Sequence, residues 1–142
     1  MAITAAVCNS FKKELLDGSG THLAADVYKI ALYTSAASLS KSTTVYSATN
    51  EVPNSGTYAA GGFTMVSFTV VLDTDTAILD WTTDPLWTGA TITARGALIY
   101  NSSRANKAVA VLDFGADITS TAGNFLVTLP AAAAATAVVR IA

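Results

Sequence analysis

The sequence predicts an all-β protein: an antiparallel, jelly-roll-like β-sandwich of about seven or eight strands with one N-terminal α-helix. Apolar and polar residues alternate along many segments, and Tyr28, Ile30 and Leu32 fall on one face of the first of them. Turn-forming residues separate these segments at regular intervals, and no helical pattern lies between them. Parallel folds need helical crossovers, so the sheets are expected to be antiparallel. The length of 142 residues fits a single domain, 1–142.

The helix is predicted over residues 1–17. Apolar residues recur there at every fourth position, which indicates one packed face that Ala6 and Leu16 widen: Ile3, Val7, Phe11 and Leu15. Gly18 is suited to end the helix in a left-handed turn. A helix of this kind usually covers the open end of a sheet.

The segment 34–62 is a long polar stretch between two predicted strands. It is rich in Ser, Thr, Ala, Asn and Gly. Long excursions of this kind in a compact domain are usually functional or disordered. We interpret this segment as a surface arm that contacts a partner.

The predicted strands after the arm follow each other closely. Two hairpins are expected, and the first of them crosses the turn that begins at Asp73. A polar loop at Gly115–Asn124 follows the second hairpin, and two final strands come after that loop. The predicted strands are Phe63–Leu72, Ala77–Trp81, Thr91–Tyr100, Lys107–Phe114, Phe125–Leu129 and Ala137–Ile141.

Composition excludes several classes of function. Hydrophobic residues make up 51% of the chain and charged residues 13%, which is not the composition of a disordered protein. The net charge is −2, and basic residues cluster only at Lys12-Lys13, so nucleic acid is not an expected partner. A surface so poor in charge is weakly protected against association, which predicts a protein partner or self-association.

The cysteine count and the apolar stretches predict the cellular compartment. Cys8 is the only cysteine, so an internal disulfide is excluded. No stretch approaches the roughly 20 apolar residues of a membrane helix, and the first residues lack the basic start of a signal peptide. We expect a soluble chain made in a reducing cytoplasm, with no membrane partner.

Candidate chemical groups lack the partners that catalysis needs. Cys8 and His22 could form a nucleophilic pair, but no third group orients them. Asp80 and Asp84 could act as acid and base, which would require both to reach one substrate. The sequence therefore predicts no enzyme.

Metal and phosphate chemistry are also not expected. Asp73, Asp75 and Asp80 lack the glycine and the terminal glutamate of a calcium loop. The triplet Asp113-Phe114-Gly115 occurs in kinases, but the other kinase motifs are missing. We predict no metal and no cofactor.

A carbohydrate-binding module or fibre tip is an alternative function. Trp81 and Trp87, with Tyr58 and Tyr100, could stack on sugar rings. This alternative requires both tryptophans to be exposed together in one groove. Aromatic residues of a sandwich more often fill its core or a protein interface.

Several segments have a specific order of residues that indicates more than their periodicity does. They are Cys8–Leu16, Lys29–Thr34, Thr49–Val52, Tyr58–Gly62, Ala90–Asn101 and Ala108–Gly115. Together they resemble a family of small virion proteins of tailed bacteriophages, over nearly the whole chain. The alanine run 131–135 and the proline at Pro53 depart from that resemblance, and both are predicted loop positions.

The resemblance implies a capsid cement, or decoration, protein without enzymatic activity. Such a protein would bind the outside of the phage capsid and clamp neighbouring subunits of the major capsid protein, as a homodimer or homotrimer. A tail or fibre component is the alternative within the virion. We expect the helix and the arm to supply contacts, with these candidates: Phe11, Tyr46, Val52, Tyr58 and Trp87.

Overall fold

A computed structural model of the chain describes residues 2–19 and 22–142. The predicted fold class is confirmed, since two antiparallel sheets and one short helix account for the regular structure. In chain order the elements are β1 (Ala6–Val7), α1 (Asn9–Asp17), β2 (Tyr28–Tyr33), β3 (Phe63–Thr64), β4 (Phe68–Asp73), β5 (Thr76–Trp81), β6 (Leu86–Asn101), β7 (Lys107–Leu126) and β8 (Val139–Ile141). One sheet has the order β1-β7-β6-β2-β3 and the other has the order β4-β5-β8.

Strand β2 lies inside the larger sheet. It pairs with β6 from Tyr28 opposite Asn101 to Tyr33 opposite Gly96, and with β3 on its other side. All of its residues are buried except the half-buried Lys29, as expected for a strand covered on both faces. The segment that alternation predicted as a strand, with Tyr28, Ile30 and Leu32 on one face, is confirmed as a strand.

The two sheets meet through aromatic rings. Tyr28 of the larger sheet stacks on Phe68 of the smaller one, with ring centroids 5.0 Å apart. Its edge also meets Trp81, at 5.3 Å. Offset and edge-to-face pairs of this kind add to the free energy gained from burial.

The N-terminal helix is shorter than predicted, and residue 1 of the predicted range lies outside the described residues. Helix α1 begins at Asn9 and ends at Asp17, and the following Gly18 caps it with a φ of +69°, as expected. The preceding residues are extended: Ile3 forms a parallel bridge with Leu39, and β1 pairs with β7. The four-residue spacing was wrong as a helix signal there, because pairing with an available strand edge overrides local periodicity.

The segment 34–62 has no long strand, and it packs on the larger sheet. The Val52 amide donates to the Leu32 carbonyl over 2.9 Å, and Val52 and Tyr58 are buried. At its end Gly62 has a φ of +81°, and a Cβ atom there would lie 1.8 Å from the Ile30 carbonyl oxygen. The end of this segment therefore approaches β2 at a distance that only glycine permits.

Two other predicted boundaries are corrected. The expected strand Phe63–Leu72 is divided between the sheets as β3 and β4, and Ser67 at the break has a φ of +61°. The expected loop Gly115–Asn124 belongs to β7, which continues along β6 past a bulge. This polar stretch contains Thr and Ile, which suit a strand with one exposed face. No helix within the described residues is long and apolar enough to cross a membrane.

Candidate protein-binding surface

Helix α1 is oriented with a charged residue inside and leucines outside. Phe11 and Glu14 are its buried residues. Leu15 is 39% exposed and Leu16 is 91% exposed. The predicted apolar face included Leu15, so the structure corrects that part of the helix prediction. A carboxylate is buried only when its hydrogen bonds are satisfied, and the partners of Glu14 therefore determine this orientation.

Glu14 is held by two cationic or polar side chains. Its Oε2 atom lies 2.9 Å from His22 Nε2 and 3.3 Å from Lys107 Nζ. Asn101 donates from Nδ2 to His22 Nδ1 over 3.1 Å, which leaves the imidazole proton on Nε2, facing the carboxylate. Phe11 packs on the same imidazole, with ring centroids 4.6 Å apart. The helix is thus anchored to the end of the β6–β7 hairpin.

A second carboxylate continues this network. Asp26 accepts hydrogen bonds from Asn101 Nδ2 at 2.9 Å and from Arg104 Nε and Nη2 at 2.9 and 3.0 Å. These bonds, led by those from Arg104, hold the pKa of Asp26 well below its usual range. The loop 22–26 and the turn 102–106 are therefore fixed to each other beneath the helix.

The outward face of α1 forms one side of an apolar groove. Strand β8 forms the other side, and the groove has a volume of about 280 Å³. Exposed Lys12 and Arg140 also line it. Its apolar lining is Val7, Phe11, Leu15, Leu16, Val139 and Ile141. An apolar centre with charged residues beside it is the usual composition of a protein-binding surface.

The structure places most predicted contact residues in the interior. Phe11, Val52, Tyr58 and Trp87 are each no more than 2% exposed. Tyr46 is half-buried and stacks on Tyr100, with centroids 4.6 Å apart. Of these residues only Phe11 reaches the groove. The surface available to a partner is therefore formed by other side chains.

Leu16 is the functional candidate that sequence reasoning missed. At 100° per residue, Leu16 lies about 140° around the helix from Phe11. A helix that buries Phe11 therefore turns Leu16 away from the core. That angle was the signal in the sequence for an exposed apolar residue.

One carboxylate among tyrosines holds part of the arm. Glu51 Oε2 accepts from the Tyr46 hydroxyl at 2.6 Å, and Oε1 accepts from the Tyr58 hydroxyl and the Gly61 amide, both at 2.7 Å. Burial and this carboxylate raise the pKa of Tyr46 and Tyr58, and burial raises the pKa of Tyr100 to about 12. These hydroxyls therefore stay protonated as donors.

A second groove, of about 500 Å³, lies within residues 33–50. Its lining consists mainly of Ser and Thr residues. The sugar-stacking alternative required Trp81 and Trp87 to be exposed, and they are 1% and 2% exposed. The hydroxyl groove therefore has no tryptophan platform.

The candidate nucleophilic pair occupies structural positions. Cys8 is fully buried, and burial raises the pKa of its thiol to about 11. A thiol with that pKa is a poor nucleophile at neutral pH. Both ring nitrogens of His22 face the partners described above.

The candidate carboxylates serve as backbone acceptors. Asp80 is fully buried, its oxygens accept from the amides of Trp81 and Val138, and burial raises its pKa. Asp84 accepts from the Leu129 amide at 2.8 Å. Within the described residues no cluster of His, Cys, Asp or Glu is arranged to hold a metal ion.

No family model, no curated protein and no solved structure matches this chain. The groove between α1 and β8, with its exposed leucines, is the feature that most needs an explanation.

Proposed function

We propose that this chain is a non-enzymatic structural protein of a tailed-phage virion. It binds the outside of the capsid, cements neighbouring subunits of the major capsid protein, and acts as a homo-oligomer. The supporting observation is the orientation of α1, with Glu14 buried and Leu15 and Leu16 exposed. The resemblance of the sequence to small virion proteins supplies the kind of partner.

Exposed leucines beside a groove favour a protein partner on energetic grounds. Leu16 is 91% exposed, so a partner that covered it would gain about 2 kcal/mol from that side chain. Leu15 and Ile141, at 39% and 57% exposed, would add smaller amounts. A cement protein needs only modest energy at each contact, because engaging two subunits at once multiplies the affinity.

The charges beside the groove indicate the character of the contact. Lys12 and Arg140 are both exposed there. A capsid surface with an apolar protrusion flanked by acidic residues would complement this arrangement. Binding through Leu16 would then resist salt more than binding through Lys12 alone.

Copy number in purified particles tests the proposed location. We expect quantitative mass spectrometry to find the protein in a fixed ratio to the major capsid protein, in the capsid fraction. Fewer than a few dozen copies per particle would contradict the cement role. Recovery with separated tails would instead support a tail component.

The groove is tested by Leu16→Gln. Because Leu16 is almost fully exposed, we expect the free energy of unfolding to change by less than about 0.5 kcal/mol. Capsid binding should weaken at least about tenfold, which corresponds to 1.4 kcal/mol. Leu23→Gln is the matched control, since Leu23 is 44% exposed and does not line the groove. Equal binding by both variants would overturn this assignment of the contact surface.

A further inference from the structure

Strand β4 is an apolar edge of the smaller sheet. It pairs with β5, and β8 lies on the far side of β5. Val70, Val71 and Leu72 are 59%, 47% and 72% exposed. A strand packed on one face would bury every second residue, so consecutive exposed apolar residues indicate an unoccupied surface.

The backbone groups of β4 that point outward can be assigned from the pairing. In an antiparallel pair, residues that bond to the partner strand alternate with residues whose N–H and C=O point away. The Ser67 carbonyl accepts from the Thr82 amide at 3.2 Å. Every second residue along the strand, counted from Ser67, therefore directs its N–H and C=O towards β5. It follows that Phe68, Val70 and Leu72 direct their backbone groups out of the sheet.

The edges at β7 and β8 carry features that oppose pairing, whereas β4 does not. The outer edge of β7 is bulged between Asp113 and Ile118. Strand β8 carries the exposed Arg140. Strand β4 contains no Lys, Arg or Pro, and its only charge is Asp73 at its end. Bulges, charges and prolines are the usual protections of an edge, so β4 is unprotected.

We propose that β4 pairs antiparallel with β4 of a second copy of this chain, around a two-fold axis beside Val70. In this register Val70 lies opposite Val70 of the second copy, and Phe68 lies opposite Leu72 of the second copy. Every outward N–H and C=O of Phe68, Val70 and Leu72 then has a partner. The two smaller sheets become one continuous sheet.

Charge and symmetry favour a second copy as the occupant. Antiparallel pairing places the two Asp73 carboxylates at opposite ends of the contact, whereas parallel pairing would place them side by side. A two-fold contact also closes on itself. Pairing of β4 with β8 of another copy would be head-to-tail and would continue into open chains.

The inference rests on the self-association in the proposed function but not on the capsid. Its test uses the full chain in solution. A monomeric protein that still bound capsids would overturn the β4 contact alone, and a dimer that failed to bind them would overturn the cement role alone.

Sedimentation velocity of the wild type and of Val70→Pro is the first experiment. We expect a dimer for the wild type and half that mass for the variant. The Val70 amide points out of the sheet, so proline there removes no bond to β5. Val70→Thr keeps the amide and should remain dimeric. A monomeric wild type, or a dimeric Val70→Pro, would overturn the proposal.

A cysteine pair checks the register without relying on the proline variant. Val70→Cys should form an interchain disulfide under mild oxidation, because directly opposite residues lie about 5.5 Å apart between Cα atoms. Leu72→Cys is the matched control and should not form this disulfide. In the proposed register the two Leu72 positions lie at opposite ends of the contact. Efficient cross-linking of Leu72→Cys, or growth into open chains, would overturn the two-fold register.

Discussion

Asp26 shows how one ion pair links stability to pH. Its pKa is held low by Arg104, while in the unfolded chain it returns to about 3.9. A lowered pKa stabilises the fold above the unfolded value, and this contribution is lost as the pH falls towards the folded pKa. The pair should therefore matter at neutral pH and disappear in strong acid.

The corresponding variant is Asp26→Asn. We expect it to lose about 1–3 kcal/mol at pH 7, the usual cost of hydrogen bonds to a charged group. Below pH 4 its stability should fall less steeply than that of the wild type. Urea unfolding between pH 3 and pH 7 measures both effects. Asp117→Asn, at an exposed position, should follow the wild-type curve, and parallel curves for all three proteins would contradict the role of Asp26.

Glu51 makes a second prediction at this scale. Glu51→Gln leaves one oxygen to accept bonds from Tyr46, Tyr58 and Gly61, and it turns an amide donor towards other donors. We expect a loss of about 1–3 kcal/mol in urea unfolding. Asp75→Asn in the exposed β4–β5 turn is the control and should be neutral. A neutral Glu51→Gln would show that the other contacts of the arm hold it without this carboxylate.

At the scale of elements, the end of the arm depends on its approach to β2. Gly62→Ala places a Cβ atom against the Ile30 carbonyl in a left-handed conformation. We expect a loss of more than about 2 kcal/mol. Gly89→Ala also has a positive φ, of +59°, but meets no atom within 4 Å, so its loss should be only about 1 kcal/mol. Thermal or urea unfolding compares the two, and equal losses would contradict the close approach.

The same scale shows what local pattern can and cannot predict. Alternation located β2, and turn residues located the β4–β5 and β6–β7 hairpins. The spacing of Ile3 and Val7 suited a helix, yet both residues are extended, because Ile3 forms a bridge with Leu39 and Val7 pairs with the edge of β7. The polar residues after Gly115 suited a loop, yet β6 was long enough to pair with them. In both places a distant strand determined the outcome.

For the whole molecule, the structure predicts a gradient of stability. Ile30, Leu98 and Ile99 are fully buried in β2 and β6, which have strands on both sides. Their amides should exchange with solvent only through global unfolding. The outward amides of Val70 and Leu72 should exchange far faster in dilute protein. Hydrogen exchange followed by NMR measures the difference, and equal protection of β4 and β6 would contradict it.

The burial of Glu14, which fixes the orientation of the candidate surface, could not be predicted from the sequence. Glu14 is buried because His22 and Lys107 bond to its carboxylate, while Asn101 bonds to the other ring nitrogen of His22. An amphipathic pattern places a glutamate on the exposed face, and only the bonds to His22 and Lys107 reverse that placement. Fold class depends on pattern, whereas a binding face depends on which contacts the completed fold leaves unmade.

The groove between α1 and β8 has a consequence for biosynthesis. Its two walls, residues 7–16 and 139–141, are distant in sequence, and β1 reaches its place only by pairing with β7. A growing chain therefore displays its leucines without the groove until the last strand is made and docked. Contacts so distant in sequence form late in folding. Binding through this groove would be limited to completely folded molecules. Incompletely folded copies would be excluded from an assembly, and no separate quality-control step would be needed.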